Sequence, residues 1–154
     1  MNEKSILVRP TSGYAVIMNL HYLLIIPFLI FGLSLLPQFS SFIIGGATIL
    51  FLMALYSYFM IRKTKYEITK AQLKYSRGIF TLTTDFLEHY RVKDIVQQQP
   101  FILRLIGVMN VVIQSTDKTH PVLVIRGIPL SNIADTIRDL VEHSRKLNRV
   151  FEVD

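Results

Sequence analysis

Charge is missing from a third of this chain: the 52 residues from Pro10 to Ile61 hold no Asp, Glu, Lys or Arg. A run that long without charge excludes an ordinary solvated surface and points to a lipid environment. Cysteine is absent as well, which excludes disulfides and thiolate metal sites and fits a domain facing the cytoplasm. Glycine-rich phosphate loops, a nucleophile elbow and paired metalloprotease histidines are also missing. His21, His89, His120 and His143 are scattered, without a second ligand at metal spacing. Glu88 and His89 are adjacent on a predicted strand and so face opposite ways, as do Asp85 and Glu88. Asp135 and Asp139 share a helix face of the usual solvated kind. These absences predict a protein that is not an enzyme and carries no metal or cofactor.

The charge that is present is unevenly placed. Seventeen Lys/Arg against 11 Asp/Glu leave a net charge of +6. Lys4, Arg9, Arg62, Lys63 and Lys65 flank the apolar run, the placement that keeps the ends of a membrane segment in the cytoplasm. Beyond Lys65, 12 basic residues meet 10 acidic ones. That balance is too even to attract a phosphate backbone, so nucleic acid is excluded as a partner.

The apolar run is long enough for two spans. A helix needs about 20 apolar residues to cross the ~30 Å hydrocarbon layer. Residues 14–36 and 42–61 each satisfy this, and Pro37-Gln38-Phe39-Ser40-Ser41 between them is a short uncharged break with a helix-stopping proline. A cleaved leader has an apolar core of only ~7–15 residues, so 14–36 reads as a span. The expectation is a cytoplasmic segment over 1–13, a transmembrane helical hairpin over 14–61, and a cytoplasmic domain over 62–154, with both termini cytoplasmic.

Turning the hairpin at Phe39 puts Gly32 level with Gly45 and Gly46, small residues that let membrane helices approach closely. It also puts Asn19, His21 and Tyr22 level with Tyr56, Ser57 and Tyr58, about 7–12 Å inside the cytoplasmic end at 1.5 Å per residue. Asn19, His21, Ser57 and Tyr58 are therefore a candidate intramembrane polar layer. Amphipathic side chains gathering at the interface account for the same pattern.

After Thr64 the hydrophobic period changes. Tyr66, Ile68, Leu73 and Tyr75 alternate with polar residues, as in strands with one buried face. Arg77-Gly78 marks a turn, 79–82 resumes the chain, and 86–92 and 93–98 read as further strands. Residues 101–106 suggest one helical turn closed by Gly107. Val111 to Ser115 and Val122 to Arg126 are predicted strands joined by an exposed loop over 116–121. Ser131 is the expected N-cap of a helix over about 131–148, with Ile133, Ile137, Leu140, Val141, Ser144 and Leu147 on its inner face. Arg138, Asp139, Glu142 and Arg145 fall on the outer one.

Taken in order, Tyr66-Glu67-Ile68-Thr69, Leu73, Gly78-Ile79-Phe80, Val92-Lys93-Asp94-Ile95, Arg104-Leu105-Ile106-Gly107-Val108 and Ile128-Pro129 resemble the bacterial pleckstrin-homology-like (PH-like) domain. The likeness covers roughly 66–145. As an architecture, the whole chain resembles small bacterial membrane proteins with two N-terminal transmembrane helices and one such domain. It departs at Tyr90-Arg91, where the family often has Ile-Pro, and at Met109, where a small residue is common. The resemblance implies a membrane-anchored α+β protein of the bacterial inner membrane. Its domain is expected to be a strongly bent antiparallel sheet or barrel capped by the C-terminal helix.

PH-like domains that bind inositol phosphates use basic residues around the first strand hairpin, here Lys70, Lys74 and Arg77. Lys74 and Arg77 lie on opposite strand faces, so the set does not fully converge. Together with Arg62, Lys63 and Lys65 they form a candidate membrane-surface contact, at ~1 kcal/mol of nonspecific attraction per basic residue near an anionic leaflet. Gln97 to Phe101 is a candidate contact surface for a partner. The leading expectation is a non-enzymatic scaffold that recruits a protein assembly to the membrane, with a protein partner or a homo-oligomer. The alternative is a lipid-responsive or transport-accessory protein working through an oligomer of hairpins.

Overall fold

The hairpin begins only after a strand has been laid down. The computed structural model describes residues 5–118 and 120–148; residues 1–4, Lys4 among them, Thr119 and 149–154 lie outside the described residues. Ile6–Val8 forms β1, which pairs antiparallel with β2, Lys65–Ile68, on the far side of the hairpin, Val8 opposite Tyr66. The expectation that 1–13 stands outside the domain is thus corrected. Its strand covers the edge of β2, whose backbone groups would otherwise go unpaired.

β3 (Gln72–Arg77) and β4 (Thr83–Glu88) extend this sheet in the order β1-β2-β3-β4. Tyr66, Ile68, Leu73 and Leu87 point into the core at the period of two that the sequence carries. Residues 79–82 do not resume a strand, because Gly78 turns the chain at φ 119° and they form the connection to β4. The strand read over 86–92 also stops early: His89–Arg91 is a 3₁₀ turn that carries the chain into the second sheet.

That sheet has the order β5-β6-β7, from Val92–Gln98, Val108–Ser115 and Val122–Pro129. The short helix α4, Phe101–Leu105, lies between β5 and β6, and Gly107 follows it at φ 64°. The C-terminal helix α5 runs over Ile133–Asn148 and packs Ile133, Ala134, Ile137 and Val141 into the core formed by both sheets. Three details differ from expectation. The Ser131 hydroxyl donates to the Pro129 carbonyl at 3.2 Å instead of capping the helix. Leu147 is exposed, and Arg145 reaches inward to donate to the Val92 carbonyl at 2.6 Å. The fold is α+β: two antiparallel sheets and a closing helix.

The predicted helix over 14–36 is broken. Ser12–Met18 (α1) and Leu20–Leu35 (α2) meet at 51°. Asn19 makes the break, its backbone N–H bonding the Val16 carbonyl at 3.0 Å and its Nδ2 the Ala15 carbonyl at 2.7 Å. α3, Ser40–Lys63, follows directly from a 3₁₀ turn over Pro37–Phe39. Among the described residues, Pro37–Lys63 is the helix whose own length and composition suffice to cross a membrane; α1 and α2 add a second only as a bent pair.

Residues 37–39 form a 3₁₀ turn between the two helices. Gly32 faces Ile43, whose Cδ1 lies 4.0 Å from where a Cβ on Gly32 would stand, whereas Gly45 and Gly46 would meet nothing within 4 Å.

Candidate functional site

The hairpin is seated on the domain through one glycine. Gly127 in β7 has φ 65°, and a Cβ built there would overlap the ring of Tyr14 on α1. Only a residue without a side chain lets the ring lie against the strand. Thr11 N donates to the Gly127 carbonyl at 2.8 Å, and Gly127 N donates to Asn110 Oδ1 at 2.8 Å across a register irregularity between β6 and β7. Tyr14, Leu103 and Val108 form a small buried cluster, with Ile61 of α3 packed against it. Arg62 Nη1 donates to the Pro10 carbonyl at 2.8 Å, tying the end of α3 to the start of α1.

β7 also crosses the first sheet at Tyr66. The Tyr66 hydroxyl accepts from Arg126 N at 3.1 Å and donates to the Val124 carbonyl at 3.3 Å. Its ring stacks on Tyr75 at 5.2 Å. Burial holds the hydroxyl's pKa well above the usual tyrosine range, so it stays a donor.

Beside this lock lies a cleft of about 300 Å³ between α1, the end of α3 and the strands β3 and β7. Pro10, Tyr14, Met18, Met60 and Ile61 line one side, and Tyr66, Tyr75, Arg77 and Arg126 the other. Lys65 pairs with Ser76 and Arg77 with Thr83, so Arg77 stands at the end of β3 nearest the hairpin. The Arg77 guanidinium lies 5.3 Å from the Tyr75 ring centre, with Nη2 3.8 Å from Asp85 Oδ2. His120 Nε2 is 3.4 Å from the other Asp85 oxygen. Arg126 makes no ion pair among the described residues. It also borders a larger recess across α1 with Phe101 and Ile102. Two guanidinium groups against one carboxylate, facing an apolar wall, suit an anion with an apolar part.

The residues singled out from sequence are dispersed around this junction. Arg62 is spent partly on Pro10, while Lys63 and Lys65 are exposed at the hairpin end. Lys74 pairs with Glu67 at 3.9 Å on the outer sheet face. Lys70, in the β2–β3 turn, is at the opposite end of the strands from Lys65. It therefore stands away from Lys65 by the length of β2, at ~3.3 Å per residue. Arg77 alone of the three strand-hairpin cations enters the cleft.

The polar layer does not assemble as expected. Asn19 is buried at the helix break, with Oδ1 unpartnered. His21 is exposed, its ring centre 3.9 Å from that of Tyr22 with the two planes tilted by 41°. Ser57 shares a groove with Tyr22 and Tyr56, while Tyr58 lies edge-on to Phe59. No hydrogen bond among the described residues joins Asn19 or His21 to Ser57 or Tyr58.

His89 is fully buried and lies in a 3₁₀ turn, not on a strand, and its Nε2 lies 2.8 Å from the Thr69 carbonyl, to which it donates. Desolvation lowers its pKa, with the Thr69 bond acting weakly the other way. Among the described residues no group of three or more His, Asp or Glu is placed to hold a metal ion. Phe101 is 75% exposed, with Ile102 and Leu105 also outside.

Sequence reasoning passed over Tyr14, Arg126 and Gly127. Their available signal was a glycine inside the Val/Ile-rich run of β7, which often marks a close backbone approach. Neither a curated protein nor a solved structure matches the chain. The family model described as bacterial PH domain matches residues 16–145, taking in α2, α3 and all of the domain from β2 to most of α5. The chain belongs to the bacterial PH domain family.

Proposed function

We propose that this chain is a non-enzymatic integral membrane protein of the bacterial inner membrane, and that its hairpin holds the PH-like domain in one orientation as a docking platform for a protein partner. A PH-like domain is a protein-interaction or lipid-binding module, and the fold alone does not choose between them. The observation that carries the reading is the seating of Tyr14 against Gly127, reinforced by the β1–β2 pairing around the hairpin. A domain meant to swing on a tether needs no such contacts. Apolar side chains such as Phe28 and Phe42 lie exposed along α2 and α3, at 77% and 81%, and burial in lipid removes that cost.

The test is the composition of the complex extracted from native membranes in mild detergent. One protein copurifying in fixed ratio is expected. A lone monomer sinks the scaffold reading. The cleft at Arg77 and Arg126 favours a second reading, a lipid-responsive protein, because it joins unpaired positive charge to an apolar wall at the hairpin end.

A further inference from the structure

We propose that the junction cleft binds one anionic phospholipid, its phosphate between Arg77 and Arg126 and an acyl chain along Met18, Met60 and Ile61. The inference rests on the membrane reading and deepens it. A surface attraction spread over lysines has no defined stoichiometry, whereas this cleft has walls. One wall is the bent helix α1, so the site exists only where hairpin and domain meet.

The chemistry is divided along the cleft. Met18, Met60 and Ile61 come from the helices, and Arg77 and Arg126 from the sheets. An amphiphile lying along the hairpin therefore meets apolar side chains first and guanidinium groups at the domain. Arginine forks match phosphate oxygens in pairs. Asp85 offsets only Arg77, at 3.8 Å, and leaves Arg126 without a carboxylate among the described residues. Tyr75 shields one face of the Arg77 guanidinium from water, which strengthens its attraction for an anion.

The strand-hairpin lysines do not line this cleft. Lys70 lies in the β2–β3 turn, at the other end of β2 from the hairpin, and Lys74 is paired with Glu67 on the outer sheet face. The site proposed is on the other side of β3, and the hairpin builds half of it.

The experiment titrates the full chain, in detergent, with phosphatidylglycerol, phosphatidylcholine or glycerol phosphate, and counts bound lipid by native mass spectrometry. One phosphatidylglycerol per chain is expected, held at least about tenfold more tightly than phosphatidylcholine. Arg77→Gln/Arg126→Gln should lose that preference, Arg126→Lys should keep part of it, and Lys70→Gln should leave it intact. Equal retention of both lipids by the unaltered chain overturns the proposal. So does an unchanged preference in the double variant, or tight binding of glycerol phosphate alone, which would make the site one for free phosphate. Alkaline carbonate extraction separates this from the membrane reading. A chain that leaves the membrane overturns both; one that stays but shows no lipid preference overturns only this inference.

Discussion

The ring of Tyr14 occupies the space that a side chain at residue 127 would need, and Gly127 holds φ 65° beneath it. Gly127→Ala should therefore destabilise the full chain by ~2–4 kcal/mol, combining left-handed backbone strain with overpacking. Tyr14→Ala should cost about 3 kcal/mol through the cavity it leaves. The double variant is expected to cost less than the sum, because the overlap is gone. Denaturation midpoints of the four proteins measure the coupling, and strict additivity would refute direct contact.

His89 makes stability depend on pH. It is buried and neutral in the fold, with a pKa held below the ordinary 6.5 by desolvation. The unfolded chain takes up a proton as pH falls past that value, while the folded chain does not. The contribution is thus complete above about pH 6.5 and declines below it, by at most ~1.4 kcal/mol per unit, until the folded pKa is reached. His89→Gln should be less stable by ~1–3 kcal/mol at neutral pH and should show a flatter acid limb in urea titrations.

The strand β1 should matter more than its three residues suggest. Replacing Leu7, which pairs with Glu67, by proline should break the ladder and expose β2. Faster hydrogen exchange at residues 65–68 is the expected result, with little change in α5. The same reasoning predicts that a fragment starting at Thr64 is less stable than one in which 5–10 is restored through a short linker.

The glycines of α3 give a test of self-association. Gly45→Ala and Gly46→Ala meet no neighbour in the monomer and should stabilise the helix by up to ~1 kcal/mol each. If either substitution instead weakens the detergent-extracted particle or shifts its mass, the glycine face is an interface between copies.

What the sequence made legible was mostly periodic. Tyr66, Ile68, Leu73 and, on α5, Ile133, Ile137 and Val141 repeat at spacings that only one face can satisfy, and those residues are in the core. The break at Asn19 was hidden because one polar residue in a long apolar run does not change the period. β1 was hidden for another reason: Ile6–Val8 is too short to show alternation, and its partner begins at Lys65. The candidate site was half visible. Arg77 stood out as a basic residue near the first strand hairpin, but Arg126 looked like any polar residue on a strand. What joins them is the crossing of β7 over β3, a tertiary relation with no local signature.

The β1–β2 ladder also works as a check on orientation. Its two strands leave opposite ends of the hairpin, so they can meet only if both ends finish on the same face of a bilayer. A copy inserted with one helix left behind, or with a single crossing, would strand Ile6–Val8 away from Tyr66 and leave the sheet open at that edge. In the proposed membrane arrangement, correct threading and a completed domain are then one event.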